Sequence, residues 1–372
     1  NKVKNYWIVD GDLPEGPEIL DGDVVFVLGD EVGTPEAEIT AITGSGVTHT
    51  YGDFIAYEFL TSGSLTCTEG TFPEALIIGG GGSGGASSSG AGGAGAGGHL
   101  EITNLYLPTG TASCVVGDGG AATTHGGGNN TMGGKTGIPS SVNGQYYSPG
   151  GGSGNPNQFT YNAAGSYSQS GNNGASGGGG AYAASGASSV NLAGGLGVSG
   201  LGFAGGDANS SGNGAGGGAG AAGGNGVAAP GANGGVGKSS SITGSAVTRA
   251  GGGGAFASGV GGSGGGGSGG GGGQSTGGSG TANTGSGGAG GGLTSGAGGS
   301  GVVIVKVLAV NAASVDKSGW TEVTALMLAE AEVKRNLERK KLEATRVLEE
   351  KKLALEEKNE ELSGATQMDI EG

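Results

Sequence analysis

Apolar and polar positions fall into three regimes along the chain. In residues 1–78, short apolar runs alternate with turn formers. Asp23-Val-Val-Phe-Val-Leu28 sits between Asp21-Gly-Asp and Gly29-Asp, Asp53-Phe-Ile-Ala-Tyr-Glu-Phe-Leu60 alternates in part, and Leu76-Ile-Ile78 runs into glycine. This pattern predicts a small antiparallel β-domain, with residues 1–50 as an acidic N-terminal β segment. In residues 79–301 apolar positions are sparse and grouped at 100–107, 113–116 and 241–248, each predicting a short strand. Apolar strands at 75–78 and 301–307 bracket this block, as if two strands pair and everything between them is one excursion. Residues 51–307 then form a single glycine-rich domain.

The third regime has helical character. After a linker at 308–320, residues 321–362 contain no glycine or proline and are dominated by Glu, Lys, Arg, Leu and Ala. Leu337-Glu-Arg-Lys-Lys-Leu342-Glu-Ala-Thr-Arg-Val347 is followed by the near-repeat Leu348-Glu-Glu-Lys-Lys-Leu353-Ala-Leu-Glu-Glu-Lys358. An 11-residue repeat predicts a straight or slightly right-handed coiled coil. Its seam, Leu326, Val333, Leu337, Ala344, Leu348 and Leu355, asks for a partner, most simply in a homotrimer about 60 Å long at 1.5 Å per residue. The alternative is a single charged helix held by i,i+4 pairs. Residues 363–372 read as a flexible tail.

Composition changes the picture of the middle block. Of 372 residues 98 are glycine, and 85 of these lie in 79–301. No Gly-X-Y period is sustained, which excludes a collagen triple helix, and apolar content of 34% argues against one large buried core of the kind that houses an enzyme pocket. A disordered Gly/Ser linker is one reading. The bracketing strands, the internal strands and the near-absence of charge favour an ordered body of extended, polyproline-II-like segments that hydrogen-bond to one another. The fold class expected is mainly β and irregular: an antiparallel β-domain, a glycine-rich body and a C-terminal long α-helix.

Charge is unevenly placed. The net −15 divides into −12 for residues 1–78, zero for 79–301 and −3 for 302–372. No segment offers the basic stripe that a nucleic-acid partner needs, and no apolar run approaches the length that spans a bilayer, so the chain reads as soluble with no membrane insertion. The start at Asn1 implies processing or a longer parent chain.

Candidate chemistry is thin. His49, His99 and His125 show no metal-ligand spacing and read as surface or turn residues. Matches to GxGxxG arise from composition, with no helix following. Asp10-Gly-Asp12 and Asp21-Gly-Asp23 fit hairpin turns better than calcium loops. Glu101, Asp118 and Asp207 are the only acids in the glycine block, and nothing in the sequence brings two of them together for glycosidase chemistry. Cys67 and Cys114 are free thiols or, less simply, one disulfide. Neither a catalytic residue, a metal nor a cofactor is expected. The aromatic cluster Tyr146, Tyr147, Phe159, Tyr161, Tyr167 and Tyr182, set among Asn, Gln and Ser, is the candidate receptor-binding set, or else a set of packing anchors.

Five landmarks occur in order: Gly52-Asp-Phe-Ile-Ala-Tyr-Glu-Phe-Leu-Thr-Ser-Gly-Ser-Leu-Thr66 leading to Glu74-Ala-Leu-Ile-Ile-Gly-Gly-Gly-Gly82; Pro108-Thr-Gly-Thr-Ala-Ser-Cys-Val-Val-Gly-Asp-Gly-Gly120; Ser240-Ser-Ile-Thr-Gly-Ser-Ala-Val-Thr-Arg-Ala-Gly-Gly-Gly-Gly254; and Gly301-Val-Val-Ile-Val-Lys306. Over residues 52–307 this order resembles the glycine-rich domain of bacteriophage tail fibres and related virion appendages. The resemblance implies a structural, oligomeric virion protein that meets a host surface glycan or outer-membrane protein beside other virion structural proteins, and it supplies no catalytic residue. Cys67 and Cys114 stand where such strands usually carry Val or Thr, and the charged helix lies outside the shared pattern. A purely architectural fibre or capsid decoration, and an ice- or surface-binding glycine bundle, are the other readings.

Overall fold

In a computed structural model the described residues are 6–10, 24–28, 39–68, 70–88, 90–126, 133–155, 171–182, 192–209, 212–227, 231–308 and 321–323. Strands β1 (Tyr6–Asp10) and β2 (Val24–Leu28) pair in parallel, with Tyr6 opposite Val24. The antiparallel expectation fails for this pair, because the 13 residues between the strands are enough for the crossover that a parallel return needs.

From residue 39 the antiparallel reading holds for β3 (Ile39–Thr43), β4 (Gly46–Tyr51), β5 (Phe54–Phe59), β6 (Gly63–Cys67) and β7 (Glu74–Ile78). They continue into β8 (His99–Ile102), β9 (Gly110–Val115), β10 (Ser140–Val142), β11 (Tyr146–Ser148), β12 (Lys238–Ser240), β13 (Val247–Arg249), β14 (Val302–Leu308) and β15 (Thr321–Val323). A five-stranded sheet has the order β11-β10-β9-β6-β3, a six-stranded sheet the order β15-β4-β5-β14-β7-β8, and β12 and β13 form a separate hairpin. The described residues contain no helix.

The bracketing strands do pair: Val302 to Lys306 of β14 lie antiparallel to Ile78 to Glu74 of β7. The unbroken apolar run Val302-Val303-Ile304-Val305 follows from burial on both faces. Val303 and Val305 join Tyr57, Phe59, Ile77, Leu65, Cys67 and Cys114 in a core shared by the two sheets. Val302 and Ile304 join Leu76, Ile78 and Ala56 on the opposite face, against Ala96, Ala219, Ile242 and Ala250 of the glycine block. Each Val, Leu, Ile or Phe side chain among them contributes about 1.5–3 kcal/mol on burial, so the sheet is held from both sides.

Three expected elements differ. The run 241–248 is not one strand: residues 241–246 make the turn of the β12–β13 hairpin, where Gly244 at φ +89° reverses the chain and its N–H donates to Ser241 O, and only Val247 and Thr248 are strand, in β13. The strand expected over 100–107 is regular only in β8, after which Leu105 and Leu107 enter the core and Leu107 bridges to Thr71. The helix expected from Thr321 begins instead as β15, whose β-branched Thr321 and Val323 suit a strand and pair in parallel with Val47 and His49 of β4. The remainder of that helix, with the seam residues Leu326, Val333, Leu337, Ala344, Leu348 and Leu355, the linker 309–320 and the tail, lies outside the described residues.

The glycine block forms a lattice of extended segments. Backbone N–H groups of Gly79, Gly82 and Gly85 donate to Gly98, Gly95 and Gly92; those of Gly80 and Ser83 to Ile138 and Lys135; those of Gly81 and Gly84 to Gly299 and Gly296. A donor direction that recurs every third residue is the repeat of a chain with three residues per turn, as in polyproline II. Segment 92–98 is surrounded. It donates to 149–155, to Gly214 and Gly217, and to Gly288 and Gly285, and it accepts from 79–85, from Ser176 and Gly179, and from Gly253. A Cβ on Gly97 would overlap the carbonyl of Gly79, and one on Gly93 the carbonyl of Gly253. Glycine therefore sets the spacing that lets every neighbour hydrogen-bond. At the outer segments, side chains take over this role. Asn173 Oδ1 accepts from Leu196 N–H at 2.7 Å, Asn233 Oδ1 from Val260 N–H at 2.9 Å, and Ser279 Oγ from Ala297 N–H at 3.2 Å.

Candidate functional site

Successive lattice segments run alternately away from and back towards the sheets. β7 feeds 79–85 outward, 92–98 returns into β8, 285–291 runs outward and 296–301 returns into β14. The reversals away from the sheets consequently gather at one end. Ser87 N–H donates to Gly291 O, Phe256 N–H to Ala91 O, His125 N–H to Leu293 O, Gly231 N–H to Ala257 O and Gly226 N–H to Asp207 O, while Thr294 bridges both Thr124 and Thr276. Turns gathered at the end of an ordered scaffold are the usual setting for recognition residues.

The sequence-predicted aromatic set is divided between the two ends. Tyr182 belongs to the turn end, where its N–H donates to Asn213 Oδ1 at 2.9 Å. Tyr146 and Tyr147 lie on β11, the edge strand of the five-stranded sheet. Tyr147 is 62% exposed, and the Tyr146 hydroxyl accepts from Tyr106 N–H. Phe159, Tyr161 and Tyr167 lie outside the described residues. The β10–β11 hairpin itself carries a turn signal that the sequence reading passed over: Asn143 and Gly144 both have positive φ, as an Asn-Gly turn requires.

The histidines are a correction, since all three are buried rather than at the surface. His49 Nε2 lies 2.7 Å from Glu58 Oε2, and Arg249 Nη2 donates to Glu58 Oε1 at 2.6 Å. Burial alone would raise the Glu58 pKa, but the His49 hydrogen bond and the Arg249 charge outweigh it and hold the carboxyl below its usual range. The cluster fastens the β12–β13 hairpin to the six-stranded sheet, as does the Tyr51 hydroxyl donating to Ile242 O at 2.5 Å. His99, 1% exposed with neither ring nitrogen hydrogen-bonded among the described residues, has its pKa pushed down by burial to about 4. Cys67 and Cys114 are buried free thiols, and burial raises the Cys114 pKa to about 12. The register places Cys67 opposite Gly110 and Cys114 opposite Gly63. An offset of four residues is about 13 Å, beyond disulfide reach.

At the rim of the turn end, a cleft of about 320 Å³ is lined by Leu192, Ala193, Asp207, Ala208, Asn209 and Asn225. Asp207 Oδ1 accepts from Gly194 N–H at 2.8 Å, and Asn225 Oδ1 accepts from Asp207 N–H at 2.9 Å. Asn209 donates from Nδ2 to Gly226 O and accepts at Oδ1 from Gly212 N–H. In the sequence Asp207 stands out only as a rare acid, since these neighbours come from segments 13 and 18 residues away. Among the described residues no three His, Cys, Asp or Glu side chains are grouped to hold a metal ion.

No curated protein matches the chain. The family model described as a glycine-rich domain matches residues 60–308, from just after β5 to the last residue of β14. That interval contains the pairing of β7 with β14 and the whole lattice between them, and the chain belongs to the glycine-rich domain family.

Proposed function

We propose that this protein is a structural component of a bacteriophage virion, a tail fibre or similar appendage, whose glycine-rich body is a bundle of polyproline-II-like segments presenting a host-binding surface. In this reading it is an adhesin and not an enzyme, needs no cofactor, and binds a host surface glycan or outer-membrane protein. It assembles as a homotrimer through the seam at 326–355, alongside other virion structural proteins. The observation that supports it most is the collection of lattice reversals at one end, opposite the sheets. A hydrogen-bonded body with turns collected at one end is suited to adhesion, and the neutral charge of residues 79–301 suits contact with an uncharged surface.

The test places a bulky group at either end. Gln274 is exposed at the turn end, Thr109 is exposed at the sheets, just before β9, and the native thiols are buried and unreactive. Polyethylene-glycol maleimide coupled to Gln274→Cys should abolish adsorption of the protein to bacterial envelopes, while the same group on Thr109→Cys should leave it intact. Equal adsorption of both conjugates would sink the assignment of the turn end. Failure of the unmodified protein to adsorb to any envelope would leave an architectural fibre or capsid decoration as the better reading.

A further inference from the structure

We propose that the cleft between Leu192, Asp207 and Asn225 is a saccharide-binding site, taking one or two sugar rings through their hydroxyl groups; this rests on the adhesin reading and specifies its ligand. The size is appropriate, since about 320 Å³ lies at the small end of ligand pockets. The chemistry is a fixed acceptor beside a fixed donor. Asp207 is held by Gly194 N–H on Oδ1, and no hydrogen bond to Oδ2 occurs among the described residues. Asn225 is held through its Oδ1 by Asp207 N–H, which fixes its amide orientation and leaves the NH2 group as donor.

A carboxylate oxygen next to an amide NH2 matches adjacent hydroxyls of a sugar, which donate to one and accept from the other. Leu192 and Ala208, 5% and 1% exposed, give the cleft an apolar floor for the C–H face of a ring. A phosphate or other anion is disfavoured by the Asp207 carboxylate, and among the described residues no Lys or Arg lines the cleft to offset it. A divalent cation would need oxygen ligands in number, whereas Asn225 Oδ1 and Asn209 Oδ1 already accept backbone N–H groups.

Two isosteric changes test the site without removing the contacts that shape it. Asp207→Asn keeps an Oδ1 for Gly194 N–H and turns the free acceptor into a donor; Asn225→Asp keeps the acceptor for Asp207 N–H and turns the donor into an acceptor. The full chain, labelled, is applied to a printed array of microbial glycans, and affinity for the brightest free glycan is measured by calorimetry. The wild type should bind, and each variant should bind about tenfold more weakly or worse with an unchanged melting temperature. No glycan bound by the wild type, or affinity in both variants equal to that of the wild type, overturns the saccharide site. Envelope adsorption measured in parallel separates the two claims. Adsorption without glycan binding overturns the site alone, and glycan binding without adsorption to any envelope supports the site and overturns the adhesin.

Discussion

His99 shows how much of this molecule's energetics rests on single residues placed against the rule for their type. It faces the glycine block from the edge strand β8, next to Ile78, with Glu101, Lys238 and Arg249 as the charged groups acting on it. A buried imidazole without partners is costly, and burial holds it neutral down to about pH 4. The unfolded chain takes up the proton nearer the ordinary value of 6.5. Between these values the unfolded state binds more protons, so stability falls as pH drops from 6.5 to about 4 and levels off below. The loss across that window is of the order of 3 kcal/mol. His99→Leu should flatten it, read from urea midpoints at successive pH values, and parallel slopes in the two proteins would sink the idea. Glu58 contributes in a lower window: its depressed pKa gives stability that is present above the usual carboxylate range and is lost as pH falls through its folded value.

At the scale of elements, the lattice segment replaces the side-chain core with close backbone approach. Gly97 has the Gly79 carbonyl where a Cβ would be, and its own N–H is bonded to Gly285, so neither neighbour can retreat without breaking a hydrogen bond. Gly97→Ala should therefore cost about 3 kcal/mol or more, the upper end for overpacking. Gly272, at a turn with no atom near its Cβ position, should accept alanine within about 0.5 kcal/mol. Denaturant unfolding of the two variants measures the difference, and similar costs would show that the segments do not interlock. The strands bracketing the block were legible because Val302 to Val305 and Leu76 to Ile78 are continuous apolar runs, the mark of strands buried on both faces. The partners of the segments between them were not legible, since one Gly-Gly stretch is chemically the same as another and pairing is decided by length between reversals. The histidines were misread because spacing reveals metal sites, whereas His49 is matched by Glu58, which is held in turn by Arg249, 191 residues from that glutamate. Asp207 was visible as an isolated acid; its juxtaposition with Asn225 and Leu192 exists only once three segments turn at the same end.

For the whole molecule, the question is whether fold and assembly are separable. Both faces of the six-stranded sheet are covered by the chain's own residues, one by the five-stranded sheet and the other by the lattice. Segment 92–98 finds all its hydrogen-bond partners within the same chain. Among the described residues the core is thus closed within one chain, and in our proposal the trimer draws its stability from the C-terminal seam, against the repulsion of segments that carry −12 each over residues 1–78. Placing carboxylates on that seam leaves them unpaired in an apolar contact. Leu337→Asp combined with Leu348→Asp should therefore convert a trimer into a monomer by light scattering, while the circular-dichroism melt of the β-structure stays within a few degrees of the unaltered protein. A wild-type monomer would remove the coiled-coil proposal. A double variant that loses its β-structure on dissociation would show instead that the lattice needs its neighbours, and that assembly and fold are one event.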